Sequence, residues 1–321
     1  MPQLTVEQAK KRFQGVVIPL TTIFKEDGSL DIDSTQENFQ WIVDEGGKQG
    51  NTIFLAAGSG GDFTTMTTEE RKAVIRAAAE VSNGKIPTIA GVQSTDIRVT
   101  IELCQFGEEV GIDLAQISNS FYYDCKEEDV IAWHEEVARN TDLAFAAYSH
   151  WYSGSKYDVP AYLIGRLLDI PNTIALKWAS PDVNNWHAGI TQFLDRAAVI
   201  DNGFLPVLGH QLGARGWISH VPNYYPHHSW KVHELMTQGR YTEAQILYDE
   251  FYIPYGKLLG TIGSQTAGEG VFVRPGLAAA GRHVGISRLP SRDSVVTPEI
   301  RESFRKLIEA NYGGAISTAA D

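Results

Sequence analysis

Only two cysteines, Cys104 and Cys125, occur in 321 residues. That is too few for a disulfide framework, so a reducing, cytoplasmic compartment is the expectation. No apolar run is long enough to span a bilayer, and the N-terminus lacks the apolar core of a signal peptide. Positive charge is scarce: 27 Lys and Arg against 39 Asp and Glu leave a formal net charge of −12. Nucleic acid and anionic membrane would repel such a chain, which excludes both as expected partners. Low-complexity tracts and linkers are missing as well. The Gly58-Ser59-Gly60-Gly61 run lacks G-x-G-x-x-G spacing, and His210, His220, His227 and His228 do not follow a zinc-ligand pattern. Neither a nucleotide, nor a metal, nor any other cofactor is therefore expected.

What is present alternates. Gly15–Thr21, Asn51–Ala56, Ile86–Val92, Leu114–Ser118, Leu143–Tyr148 and the run ending at Lys177 read as buried parallel strands. Between them lie helical periodicities over Ser34–Glu45, from Thr67-x-x-Glu70 with its capping-box spacing, and over Asp96–Glu109, Glu127–Arg139 and Pro160–Asp169. Leu205–Leu208 and Gly216–Ser219 are read as strands seven and eight. Helical patterns follow from Ser229, including Tyr241–Tyr255, Gly276–Ala280 and Pro298–Glu309. Eight such units predict an α/β protein, a (β/α)8 TIM barrel with additional C-terminal helices. It is read as a single domain over 1–321, the barrel over about 14–235 and the helical extension over about 236–312. Lys10-Lys11-Arg12 reads as the solvated face of a short N-terminal helix.

Barrel enzymes place their chemistry at the C-terminal ends of the strands. Those ends carry Thr21-Thr22, Gly58 to Asp62, Gln93-Ser94, Phe121-Tyr122-Tyr123, Tyr148-Ser149-His150, Lys177, Gly209-His210 and Ser219-His220. Lys177 ends an apolar strand, Thr173-Ile-Ala-Leu. Burial there favours a neutral amine, which is a nucleophile toward ketones. A lysine, several hydroxyls and a glycine-rich turn on one rim are what Schiff-base chemistry requires.

Residues 14 to 310 resemble the dihydrodipicolinate synthase and N-acetylneuraminate lyase superfamily of lysine-dependent lyases. Four segments carry the resemblance: Asn172-Thr-Ile-Ala-Leu-Lys177-Trp-Ala-Ser, Tyr148 at 29 residues before the lysine, Ala57-Gly-Ser-Gly-Gly-Asp62 with Met66 to Arg71, and Gly216-Trp-Ile-Ser-His-Val-Pro-Asn223. The resemblance implies that Lys177 condenses with pyruvate or another 2-oxo acid and that Tyr148 is the general acid/base. It implies a proton relay through Ser59, and a carboxylate held by backbone N–H groups at Ser59 and Gly60 beside Gly58, with Ile218 also against the substrate. Tyr123 stands near the tyrosine that some members borrow across a dimer interface; the alternative for it is a core filler. A homodimer or homotetramer is implied.

The departures define the expected acceptor. Gly60 replaces a threonine, Asp62 replaces a glutamate, and no arginine follows Tyr148 until Arg166, so dihydrodipicolinate synthase activity is not expected. Trp151 and Trp178 either wall a roomy, aromatic acceptor site or pack between barrel and helices; Tyr152, Tyr224 and Tyr225 are ambiguous in the same way. The expected activity is a Schiff-base carbon–carbon lyase acting on a 2-oxo acid and a neutral, ring-bearing or hydrophobic aldehyde. The alternatives are a 2-keto-3-deoxy sugar-acid dehydratase and a ligand-sensing barrel.

Overall fold

A computed structural model describes residues 4–151, 157–203 and 205–312. In chain order the elements begin α1 (Val6–Arg12), β1 (Gly15–Pro19), α2 (Ile32–Asp44), β2 (Thr52–Ala56), α3 (Thr68–Ser82), β3 (Thr88–Gly91) and α4 (Ile97–Val110). They continue β4 (Leu114–Ile117), α5 (Glu127–Arg139), β5 (Ala144–Tyr148), α6 (Ala161–Leu167), β6 (Thr173–Trp178), α7 (Val183–Thr191), β7 (Ala198–Asp201), α8 (Pro206–Leu212) and β8 (Gly216–Ile218). Four helices follow: α9 (Pro226–Thr237), α10 (Tyr241–Gly263), α11 (Gly270–Ala279) and α12 (Pro298–Tyr312). The strands close in sequence order into a barrel, β8 pairing in parallel with β1. This is the expected (β/α)8 barrel with extra C-terminal helices.

The chain forms two compact units. The first comprises Met1–Val17, Lys48–Leu55 and Ser82–Ile218, and the second Ile18–Gly47, Ala56–Val81 and Ser219–Asp321. In the first, side chains alternate along each strand, as strand geometry requires. Val17, Leu55, Leu114, Ala146, Ala175 and Ile200 point inward and form a core with Ala9 and Phe13 of α1. Ala147, Leu176, Trp178 and Val199 point outward and pack with Leu163, Ile164, Trp186 and Ile190 of the surrounding helices. Arg12 is not simply solvated: its Nε and Nη2 hold both oxygens of Asp113 at 2.6 and 2.8 Å.

The second unit holds α2, most of α3 and the C-terminal helices. Thr67 and Glu70 make the anticipated reciprocal cap of α3, with N–H to side-chain distances of 2.9 and 3.2 Å. Tyr224, Phe251, Tyr255, Val271, Leu277 and Phe304 build its core. Tyr224 and Tyr225 are therefore packing residues, not substrate walls. Tyr224 is fully buried, and the Tyr225 hydroxyl donates to the Asn311 carbonyl at 2.6 Å.

The expected seventh strand is displaced. Leu205–Leu208 opens α8, with Pro206 at the first helical position, where its missing N–H costs nothing and its fixed φ suits the helix. The strand is the preceding apolar run, Ala198–Asp201. His210 thus sits on α8 instead of at a strand end, and α7, capped by Asp182 through the Asn184 N–H at 2.8 Å, had no counterpart in the sequence reading.

Candidate active site

The β5–β6 pairing sets the geometry. Tyr148 and Lys177 are register partners, as are Ala147 and Leu176 one residue earlier. Because Ala146 and Ala175 face the barrel interior while Ala147, Leu176 and Trp178 face the helices, Tyr148 and Lys177 both face inward. They stand one layer above an apolar floor. Lys177 is 4% exposed and Tyr148 6%, and the Lys177 Nζ lies 4.1 Å from the centroid of the Tyr148 ring. The Ser149 N–H donates to the Lys177 carbonyl at 3.2 Å and carries the pairing one residue beyond the strand. A lysine at a solvated strand end would show none of this.

His150 completes the cluster. Its buried ring is 5.3 Å from that of Tyr148 at an interplanar angle of 43°. Burial, with a smaller contribution from the Lys177 charge, lowers its pKa to about 4, so it is a neutral imidazole at neutral pH. The position that follows the tyrosine therefore supplies no cation. Among the described residues of this unit the arginines are engaged elsewhere. Arg12, Arg98, Arg139, Arg166 and Arg196 pair with Asp113, Asp96, Glu136, Glu128 and Asp169, and Arg215 donates to the carbonyls of His210 and Ala214.

Trp178 requires a correction. It is 1% exposed, its Nε1 donates to the Trp186 carbonyl at 3.1 Å, and a Cβ on Gly189 of α7 would lie 2.2 Å from that nitrogen. Strand alternation turns it away from Lys177, so it packs between barrel and helices and does not line the substrate site. Trp151 is partly exposed, while Tyr152 lies outside the described residues. Ile218 faces inward with its register partner Val17 and is partly exposed. Tyr123 is 73% exposed and packs edge-to-face on Tyr122 at 5.2 Å, which removes the core-filler reading within this chain.

In the second unit, Gly58, Ser59 and Gly60 form a tight turn continuing from β2. Gly61 and Asp62 N–H groups close it onto the carbonyls of Gly58 and Ser59, each at 3.0 Å. The Ser59 and Gly60 N–H groups donate to no acceptor among the described residues. Asp62, with φ 60°, pins the end of the turn: its carboxylate accepts from Arg274 at 3.0 Å and from the Gly270 N–H at 3.2 Å. Both side chains of that ion pair are at most 5% exposed, which makes Asp62 structural.

One buried carboxylate escaped the sequence reading. Asp201 accepts from Trp186 Nε1, Gly203 N–H and Leu205 N–H at 2.9, 2.9 and 3.2 Å. Burial pushes its carboxyl up, and its register with Trp178 turns it outward, so it ties β7 to α7 and to the start of α8. Among the described residues no group of three or more His, Cys, Asp or Glu side chains could hold a metal ion. His227 pairs with Glu45 at 2.8 Å, and His228 packs on Phe251 at 4.9 Å. None of the helices searched among the described residues is long and apolar enough to cross a membrane.

His228 is, like His150, held neutral by burial, with a pKa lowered to about 4. The unfolded chain protonates each imidazole near pH 6.5 and the folded chain only near 4, so stability is full above pH 6.5 and is lost as pH falls to about 4. The loss is up to roughly 3 kcal/mol for each group. Urea unfolding at pH 7 and 4.5 should register it, and His228→Gln should lose less on acidification than the parent. A parent protein that gained stability over that interval would contradict the assignment.

A profile of the dihydrodipicolinate synthetase family matches residues 12–262. The 4-hydroxy-tetrahydrodipicolinate synthase of Clostridium perfringens is 27% identical over 238 residues, covering 73% of this chain and 79% of that one. YagE of Escherichia coli, provisionally named a 2-dehydro-3-deoxy-D-gluconate aldolase, is 34% identical over 137 residues, 43% of this chain and 44% of its own. The YagE crystal structure in complex with pyruvate superposes with a TM-score of 0.82 at 24% identity, covering 94% and 99% of the two chains. CdNal of Clostridium difficile, solved with mannosamine, superposes with a TM-score of 0.81 at 18% identity, covering 93% and 99%. The structural likenesses speak for the fold. The profile, spanning well over half of the chain, speaks for descent: this protein belongs to the dihydrodipicolinate synthetase family.

Proposed function

We propose that the protein is a class I aldolase in which Lys177 forms a Schiff base with pyruvate or a related 2-oxo acid, making or cleaving a carbon–carbon bond to a neutral aldehyde. The observation that carries this is the buried Lys177–Tyr148 pair, register partners inside the barrel with Nζ 4.1 Å from the ring centroid. Lys177 Nζ adds to the ketone carbon, and the carbinolamine loses water to give an iminium. Loss of a C3 proton gives the enamine, whose C3 attacks the aldehyde carbon. The aldehyde oxygen takes a proton from Tyr148, and hydrolysis of the iminium returns the free amine. Cleavage runs the same steps backwards. The family motif gives Ser59 a proton-relay role and gives the Ser59 and Gly60 amides the carboxylate, with Gly58 shaping the turn. Tyr123, exposed in this chain, is placed against a second copy in a homodimer or homotetramer.

The acceptor is neutral because the cluster around Tyr148 offers a neutral His150 and no guanidinium among the described residues of the barrel unit. Burying a second, unpaired carboxylate there would be costly. With Trp178 turned outward, the aromatic character of the acceptor rests, among the described residues, on Trp151. Matched aldehydes with and without a carboxylate, condensed with pyruvate, test the reading. The neutral member should react with a kcat/KM at least about 30-fold higher, the equivalent of about 2 kcal/mol of unpaired charge. Preference for the carboxylated aldehyde would overturn it, and dehydration of 2-keto-3-deoxy sugar acids without aldol turnover would replace it with the dehydratase.

A further inference from the structure

Gly60 lacks the side chain that the family motif leads one to expect, and the second unit shows what fills its place. A Cβ at Gly60 would stand 2.8 Å from both Cδ2 and Nε2 of His220 and 2.8 Å from Cβ of Pro19. A Cβ-bearing residue fits only if both the imidazole and Pro19 move, so the His220 edge occupies the space beside Gly60. His220 follows β8 closely, and its side chain is 18% exposed. Its Nε2 makes no hydrogen bond among the described residues. The nearest carboxylate oxygen, Glu269 Oε2, lies 3.4 Å from it without hydrogen-bond alignment. Glu269 does not consume the N–H.

The surroundings are donors awaiting an acceptor. The Ser59 and Gly60 N–H groups are uncommitted among the described residues. Thr22 is fully buried, its hydroxyl has no partner among the described residues, and its Oγ1 would lie 3.4 Å from a Cβ placed on Gly61. Buried polar groups of this kind are costly unless a ligand or water satisfies them. Two amides, a hydroxyl and an imidazole edge around one turn suit a small carboxylate.

We propose that His220 is a carboxylate-binding residue, its Nε2–H supplying the donor that a threonine hydroxyl at position 60 would otherwise bring. This rests on the reading of the substrate as a 2-oxo acid.

Three variants test it: His220→Ala, His220→Gln and Gly60→Thr. Each is compared with the parent for KM and kcat with pyruvate, for borohydride trapping, and for affinity toward lactate, which keeps the carboxylate but has no ketone. His220→Ala should raise KM about 10- to 100-fold, the worth of a hydrogen bond to a charged group, and weaken lactate equally, with kcat changed less than about threefold. His220→Gln, which retains an amide donor of similar reach, should recover most of the loss. Gly60→Thr should be impaired, because its Cβ meets Pro19 as well as the imidazole. Unchanged KM and lactate affinity in His220→Ala overturns the proposal while trapping in the parent keeps the aldolase reading. Loss of lactate binding in His220→Ala with no trapping in the parent supports His220 and overturns the Schiff base. A parent that neither traps pyruvate nor binds lactate overturns both.

Discussion

Lys177→Ala is expected to lower kcat/KM for any aldol reaction by about 10⁴-fold or more while leaving the fold intact. Without the amine there is no iminium, and no other group can take up the electrons released at C3 during bond formation or cleavage. Elsewhere in the barrel unit, Lys10 pairs with Glu7 at 3.0 Å and the exposed Lys126 pairs with Asp124 at 3.3 Å. The fold should tolerate the change because the layer below Lys177 is already complete in Ala146, Ala175, Ala198 and Ile200. A variant with normal circular dichroism and activity within tenfold of the parent would place the nucleophile elsewhere.

The second large effect is at Tyr148. Tyr148→Phe keeps the ring that packs on Nζ at 4.1 Å and on His150 at 5.3 Å, so stability should change little. It removes only the hydroxyl. Loss of a positioned general acid/base costs about 10²–10⁴-fold in rate, and the fall should appear in kcat more than in KM. Slow Schiff-base formation should persist, because amine addition to a ketone proceeds with water as the proton carrier. Turnover within about threefold of the parent is too small a loss for a general acid/base. It would pass the role to His150, the nearest titratable ring, or to Tyr123 of a second copy.

Most of the barrel could be read from the chain because its strands are short apolar runs bounded by turn residues, and its helices carry caps such as Thr67 and Asp96. The failure at β7 is instructive. Leu205-Pro-Val-Leu has strand-like composition, but Pro206 is better suited to a first helical turn, while the true strand, Ala-Val-Ile-Asp, was masked by the small residues around it. At the site, Lys177 and Tyr148 were legible because a strand end has a fixed place in a barrel. Trp178 was not placed correctly, although the period-two rule that turns Lys177 inward also turns its neighbour outward. That rule would have marked His150 as inward together with Tyr148. The pairing of Gly60 with His220 was out of reach, since it joins the turn after β2 to the residues after β8 through a contact 160 residues apart in sequence.

The central claim is a covalent bond, and the most direct test is to trap it. The protein is incubated with pyruvate, reduced with borohydride, digested and mapped by mass spectrometry. A reduced pyruvyl adduct on the peptide carrying Lys177, absent from Lys177→Ala and from a control without pyruvate, is the predicted result. An adduct on a different lysine, or an unmodified Lys177 in a protein that turns pyruvate over, would contradict it.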